Sequence, residues 1–185
     1  PYNAALIVFE IIKGGGASAV YHAINSDDVD LIMKHPMTSI ASDGPLTVFN
    51  EGAPHPRTYG TFARVLGRYV RERNILSLEE AVRKMTSLPA SILSIKERGL
   101  IKEGYYADLT IFDSNNIIDK ATFEDPHQYA AGVNFVLVNG IIVVENGNHN
   151  GNRPGRVLFG PGYRGNKWLK ILTYILKKMK MWWFT

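Results

Sequence analysis

A carboxylate, an imidazole and a guanidinium lie within one short stretch of the sequence, at Asp43, His55 and Arg57. Asp43 follows a short apolar run and precedes Gly-Pro, so its carboxylate can serve as a metal ligand, a general base or both. The same residue can simply build a turn, because Asp, Gly and Pro are all typical turn residues. The neighbouring residues alone leave both interpretations open.

The segment His55-Pro56-Arg57 offers two polar groups beside a rigid proline. Arg57 can hold a substrate carboxylate in a bidentate pair, and His55 can donate a hydrogen bond or complete a metal site. The alternative is a proline-flanked loop whose side chains only pack against their neighbours. Both hypotheses stay open at the level of the residues.

Tyr21 and His22 lie near the end of another short apolar run. Adjacent strand residues point to opposite faces, so at most one of them can face a pocket. A single histidine in an apolar strand is more often a packed core residue, and Tyr21 is the candidate for substrate binding.

His35, His127 and His149 are predicted to be structural or surface residues. No HxH, HExxH or Cys/His cluster occurs, so no complete metal site is predicted in this chain.

Helices and strands that alternate along the first third of the chain must position these residues. The pattern predicts a mostly buried helix over 4–12, a buried parallel strand over 18–24, a helix that is capped by Ser26 or Asp27 and ends before Pro36, and a strand over 37–41. Such alternation indicates βαβ units and a parallel sheet. Active sites of such sheets lie at the C-terminal ends of the strands, where Tyr21 and Asp43 fall.

The rest of the sequence predicts helices first and bare strands afterwards. An amphipathic helix is predicted over 61–74, a second helix after the capping box of Ser77 and Glu80, and a third, short one at Pro89. Strands follow at 109–112, 133–138 and 141–144, the last two joined by Asn139-Gly140, a strong hairpin signal. We therefore predict three parts, with bounds at 1–100, 101–158 and 159–185.

The net charge of +4 comes from the end of the chain. Residues 159–185 hold six basic residues and no acidic one, and the remainder has 15 basic and 17 acidic residues. The body is therefore not predicted to bind nucleic acid. Residues 159–185 are therefore predicted to be either a basic amphipathic tail or a spurious one that comes from out-of-frame or intronic translation. As a real tail, residues 167–184 place lysines on one face of a notional helix, which makes a membrane surface a partner for this tail alone. The absence of cysteine fits a reducing compartment, so we predict a cytoplasmic location.

Several blocks in order resemble the D-aminoacylase branch of the amidohydrolase superfamily, the N-acyl-D-amino-acid deacylases. The blocks are SIASDGP (39–45), HPRTYGTFARVLGRYVRE (55–72), LEEAVRKMTSLPA (78–90), ADLTIFD (107–113), ATFEDP (121–126), VNFVLVNG (133–140) and PGRVL (154–158). Each block is weak alone, and the resemblance rests on their order along residues 5–158.

This resemblance implies an α/β fold, namely the C-terminal part of a (β/α)8 metal-dependent hydrolase barrel followed by part of a small β-sandwich domain. It implies hydrolysis of N-acyl-D-amino acids to a carboxylate and a D-amino acid by a water activated on zinc. Asp43 matches the family's catalytic Asp and metal ligand, which favours the functional interpretation of this residue. His55, Arg57 and Tyr21 would then lie near the substrate pocket.

The family's other metal ligands have no counterpart in the sequence. These are a first-strand HxH pair, a bridging residue that is usually Cys, and two later histidines. We therefore expect a C-terminal fragment that is inactive alone. The alternatives are a non-catalytic remnant or interaction module, and a related cyclic-amide hydrolase of the hydantoinase or dihydroorotase kind.

Overall fold

The computed structural model describes residues 3–16 and 23–163, and the chain divides into two compact units, Pro1–Ile32 and Met33–Thr185. The first unit contains helix α1 (Ala4–Lys13), which Asn3 caps by accepting a hydrogen bond from the backbone N–H of Ala5 at 3.0 Å. The predicted helix is confirmed, but its predicted burial is wrong, because none of its side chains is buried. Local periodicity specifies the helix, whereas burial needs a second element to cover it.

Helix α2 (Ser26–Lys34) is also confirmed, and it ends before Pro36 as predicted. Its cap differs from the prediction. The side-chain oxygen of Asn25 accepts a hydrogen bond from the backbone N–H of Asp27 at 2.9 Å, so Asn25 takes the capping place. Asparagine caps helices as well as serine or aspartate does, so the sequence did not discriminate among neighbouring candidates.

The two predicted parallel strands are not observed. Residues 17–22, which include Tyr21 and most of the first predicted strand, lie outside the described residues. The predicted strand over 37–41 is wrong, because these residues have no ladder partner among those described. Their backbone is bonded to a helix instead, since the N–H of Ile40 donates to the carbonyl of Lys84 at 3.0 Å. An apolar run specifies a strand only where a neighbouring strand is present.

A helical layer follows, made of α3 (Arg57–Arg64), a π-helical continuation (Val65–Glu72), α4 (Leu78–Met85) and α5 (Ser87–Ile92). The predicted helix over 61–74 therefore begins earlier, because Pro56 already has helical backbone angles. Half of the predicted capping box is observed: the Ser77 hydroxyl accepts a hydrogen bond from the N–H of Glu80 at 3.2 Å, whereas the Glu80 carboxylate accepts from Arg83. The short helix around Pro89 is confirmed as well.

The strands form one antiparallel sheet in the order β1 (Leu109–Phe112), β2 (Val133–Val138), β3 (Ile141–Glu145) and β4 (Asn148–His149). β2 and β3 make the predicted hairpin, with Val138 opposite Ile141 and with positive φ angles at Asn139 (51°) and Gly140 (80°). Both angles suit the tight turn that Asn-Gly favours. The described residues form no second sheet that would complete a sandwich.

The connection between β1 and β2, residues 113–132, packs against the helical layer. Arg64 forms an ion pair with Asp119 at 2.5 Å, and the guanidinium of Arg71 donates to the carbonyl of Ile117 at 2.6 Å. Gly67 lies between these two arginines, and a Cβ added to it would stand 2.5 Å from the carbonyl oxygen of Ile117. The helix reaches this connection so closely because residue 67 has no side chain.

The core consists of apolar side chains that come mainly from the helices, the β1–β2 connection and β3. Its buried members are Met33, Ala63, Val65, Leu66, Leu76, Ala81, Leu88, Ala90, Ile117, Ala121 and Val143.

Among residues 3–16 and 23–163, no helix combines the length and apolar character needed to span a bilayer. The predicted membrane-binding tail, residues 167–184, lies outside the part of the chain that is described.

Gly67→Ala is expected to destabilise the chain by about 1–3 kcal/mol, because the new methyl group overlaps the Ile117 carbonyl. Urea denaturation would measure the change. Gly155→Ala is the matched control, since no atom lies within 4 Å of a Cβ built there. Equal stability of the two variants would contradict the close packing at Gly67.

Candidate functional site

Asp43 stands in a strained turn that rests on the start of α3. Its φ angle is 47°, in the left-handed region, and the Ser42 hydroxyl accepts a hydrogen bond from the N–H of Gly44 at 3.3 Å. A Cβ added to Gly44 would lie 2.8 Å from the Cα of Thr58, so the turn needs glycine at this position. The turn is therefore fixed against the helix, and aspartate is one of the few non-glycine residues that adopt the left-handed conformation readily.

Asp43 and Arg57 come together as an ion pair. One guanidinium nitrogen of Arg57 lies 2.8 Å from Asp43 Oδ2, and the two side chains are 43% and 84% exposed. A pair this exposed contributes only on the order of 0–1 kcal/mol to stability. The pairing therefore says little about folding, but it establishes that two of the predicted site residues share one location.

His55 lies next to this pair but is turned toward its own loop. Its Nδ1 accepts a hydrogen bond from the backbone N–H of Arg57 at 3.1 Å, and its ring meets the ring of Phe123 edge-on at 5.0 Å. The Nδ1 lone pair that could bind a metal is thus used to close the turn before α3. Tyr21, the remaining predicted site residue, lies outside the described residues.

The described residues do not assemble a metal site by themselves. No group of three or more His, Cys, Asp or Glu side chains comes close enough to hold an ion within residues 3–16 and 23–163. Asp43 offers one carboxylate, whereas a catalytic zinc requires about three protein ligands. The assignment of Asp43 as a metal ligand therefore stays a prediction.

A fully buried lysine holds the segment that leads to Asp43. Lys84 of α4 has no exposed surface, and its ammonium donates to the carbonyls of His35 and Thr38, the latter at 3.0 Å. The neighbouring Arg83 donates to the carbonyl of Pro36 at 2.6 Å. Two cations of one helix thus satisfy backbone carbonyls that a sheet would otherwise bind.

Glu80 supplies the negative charge beside these cations. Its carboxylate accepts two hydrogen bonds from Arg83, at 2.7 and 2.8 Å, and lies 3.5 Å from Lys84 Nζ. The hydrogen bond from Arg83, helped by the charges of both cations, lowers the pKa of Glu80 from 4.5 to about 2. The carboxylate therefore stays ionised and keeps both side chains directed at the segment over 35–40.

His127 was predicted to be a structural or surface residue, and it makes the longest-range contacts at the site. From the β1–β2 connection it bonds to Tyr59 of α3, to the N–H of Asn50 and to the carbonyl of Gly52. The sequence holds no signal for this role, because 68 residues separate His127 from Tyr59. Only the packing of the helix on the connection brings the two together.

A model of the amidohydrolase family matches residues 15–144. The chain belongs to this family. The match includes Asp43, Arg57 and His127. Together with relatives that are 43–45% identical, it confirms the resemblance found in the sequence blocks.

The relatives are deacylases of N-acyl-D-amino acids. The N-acyl-D-aspartate deacylase of Alcaligenes xylosoxydans xylosoxydans is 45% identical over 147 residues, which cover 79% of this chain and 28% of the relative. The structure of a D-aminoacylase is 42% identical with a TM-score of 0.72, over 78% of this chain and 30% of that one. The N-acyl-D-glutamate deacylase of Bordetella bronchiseptica, complexed with zinc and a phosphonate inhibitor, is 44% identical with a TM-score of 0.62, over 66% and 25%.

This amidohydrolase chain spans little more than a quarter of the length of these relatives, 28% for the N-acyl-D-aspartate deacylase. Dihydroorotases match over a shorter stretch, as in Endomicrobium trichonymphae, at 36% identity over 39% of this chain. The similarity to the deacylases is therefore stronger than the similarity to the cyclic-amide hydrolases.

Glu80→Gln is expected to make the chain less sensitive to acid. The folded-state pKa of Glu80 is about 2 against an ordinary value of 4.5, so its stabilising effect is complete above pH 4.5 and is lost as the pH falls through 2. Urea midpoints measured from pH 7 to pH 2 should fall less steeply below pH 4.5 in the variant. Glu79→Gln, which changes an exposed neighbour, is the control, and identical pH profiles for both variants would contradict this role.

Proposed function

We propose that this chain is the part of an N-acyl-D-amino-acid deacylase that carries the catalytic carboxylate and a substrate-binding arginine. The observation that carries the proposal is the ion pair of Asp43 and Arg57 at 2.8 Å, within the region that matches the amidohydrolase family. The relatives named N-acyl-D-aspartate deacylase and D-aminoacylase support the substrate class.

In this proposal the described helices and sheet correspond to the C-terminal part of a (β/α)8 barrel and part of its small β-sandwich domain. The similarity to the D-aminoacylase structure, at a TM-score of 0.72, supports this assignment. We place the barrel part at residues 1–100 and the β-domain part at 101–158. The packing of residues 57–72 on the β1–β2 connection would then join the two domains.

Asp43 would act as the general base of amide hydrolysis. A carboxylate in a fixed turn, with its side chain exposed, can accept a proton from the water that attacks the acyl carbon. It can then deliver this proton to the nitrogen of the leaving D-amino acid. The strained turn and the glycine contact with Thr58 would keep the carboxylate in one place throughout.

Arg57 would bind the α-carboxylate of the substrate, a group that every N-acyl-D-amino acid carries. Its planar guanidinium fits a carboxylate in a bidentate pair. With no substrate bound, its partner is Asp43. A substrate carboxylate would compete for the guanidinium and leave Asp43 Oδ2 to the water. His55 would support this arrangement by holding the backbone N–H of Arg57, and Tyr21 remains a candidate for substrate binding.

Zinc is the cofactor we propose for the whole enzyme, since the deacylase of Bordetella bronchiseptica is complexed with it. Asp43 is the one ligand we assign to it in this chain, and the described residues do not complete the site. The 185-residue chain alone is accordingly expected to lack deacylase activity.

A non-catalytic remnant is the second candidate function, and the incomplete set of metal ligands favours it for the isolated chain.

Asp43→Asn in a complete enzyme that contains this sequence is expected to lower kcat by roughly 10²–10⁴-fold, because the proton acceptor is lost while the side-chain volume is kept. Release of D-amino acid from a panel of N-acetyl-D-amino acids in the presence of zinc would measure this. Asp28→Asn, at an exposed helix position, is the control. Unchanged activity in the Asp43 variant would refute the catalytic role.

Arg57→Ala is expected to raise KM for N-acyl-D-amino acids by roughly 10–100-fold, because a charge-assisted pair worth about 1.5–3 kcal/mol is lost. Substrate amides, which carry no carboxylate, should be cleaved equally by the variant and the unmodified enzyme. Arg68→Ala, at an exposed position of the same helical run, is the control. If KM rises equally for the acids and the amides, Arg57 does not bind the substrate carboxylate.

A further inference from the structure

The loop between Asp43 and Arg57, residues 44–56, has little to hold it in place by burial. Leu46 and Val48 are exposed, as is every other residue from 45 to 53. An exposed loop of this length is expected to move unless specific bonds fix it. Its two ends nevertheless carry the ion pair of the site.

His127 provides those bonds from the β1–β2 connection. Its Nδ1 lies 3.2 Å from the backbone nitrogen of Asn50 and 2.9 Å from the hydroxyl of Tyr59. Its Nε2 lies 3.1 Å from the carbonyl oxygen of Gly52. One ring thus forms two hydrogen bonds with the loop and one with the first turn of α3.

The chemistry of these partners determines the form of the ring. A backbone N–H can only donate, so Nδ1 accepts from Asn50, and the Tyr59 hydroxyl donates to the same nitrogen. A carbonyl oxygen can only accept, so Nε2 carries the proton that is given to Gly52. Both nitrogens of the neutral ring are therefore used, in a single tautomer.

Aromatic packing holds the ring in this position. Phe49 of the loop meets the His127 ring edge-on at 5.7 Å and stacks on Tyr129 at 5.0 Å. Tyr59 meets His127 edge-on at 5.7 Å as well. Such pairs are individually weak, but together they place a loop residue, a helix residue and the connection in one cluster.

We infer that His127 is a positioning residue, which fastens the loop over 44–56 to the β1–β2 connection and so sets the relative placement of Asp43 and Arg57. Its two bonds to the loop reach Asn50 and Gly52, midway between the two charged residues. Its effect on catalysis rests on the proposed function, whereas the fastening of the loop does not. His127 itself contacts no reacting group and takes no part in proton transfer.

The first experiment examines the 185-residue chain by NMR. In the unmodified chain, the chemical shifts of the His127 ring nitrogens should indicate the neutral tautomer with the proton on Nε2. In His127→Phe, which keeps an aromatic ring but no hydrogen bond, the Asn50 amide should exchange with solvent roughly 10-fold faster. The amide of Gly140 in the hairpin turn donates to the carbonyl of Ala107, just before β1, and reports whether the fold is kept.

His127→Gln should slow the exchange again, because its amide can both accept and donate. His149→Phe is the matched control, since His149 is an exposed histidine whose Nδ1 accepts only from the nearby Gly151 N–H, at 2.9 Å. A ring with the proton on Nδ1 would overturn the inference. So would unchanged exchange at Asn50 in His127→Phe with Gly140 still protected.

The second experiment measures kcat and KM in a complete enzyme that contains this sequence. His127→Phe should lower kcat/KM roughly 10-fold for N-acyl-D-amino acids and less for their amides, since the placement of Arg57 changes. His127→Gln should restore part of it. Unchanged kcat/KM together with a released loop would overturn the positioning role. If the unmodified enzyme has no deacylase activity, the proposed function is refuted. The tautomer of His127 and the exchange rate of the Asn50 amide would still show whether His127 fastens the loop.

Discussion

The packing of the helical run over 57–72 on the β1–β2 connection is the contact on which the rest of the site depends. The ion pair of Arg64 and Asp119, and the bond from Arg71 to the Ile117 carbonyl, fix the helix against this connection. Asp119 is nearly buried, so this pair is screened less by solvent than the exposed pair at the site. Arg57 is the first residue of this helix, so the position of Arg57 depends on the Arg64–Asp119 ion pair two turns further along.

Two separate devices then place Asp43 relative to the helix. Before it, the cations of α4 bind the carbonyls of His35, Pro36 and Thr38, and Glu80 keeps those cations in place. After it, the Asp43-Gly44 turn lies against Thr58, and His127 holds the following loop. The carboxylate is thus exposed but attached on both sides, which would suit the catalytic role that we propose for Asp43.

The sequence predicted the local elements well where a single segment carries the information. The helix cap at Ser77, the Asn-Gly hairpin and the helix before Pro36 are all confirmed, since each depends on residues within one or two turns. The ordered blocks also placed the chain in its family, which the match over 15–144 confirms. The strand over 37–41 failed for the opposite reason, because a strand needs a partner that lies elsewhere.

The sequence by itself determined which residue types are present for chemistry and which short segments become helices or turns, because backbone preferences and caps act locally. Tertiary structure alone decided that Asp43 meets Arg57 at 2.8 Å, and that Lys84 becomes a fully buried donor rather than a surface charge. It also decided that His127, 75 residues from Gly52, holds the site loop. These contacts join segments far apart in the chain, and local periodicity contains no information about such pairs.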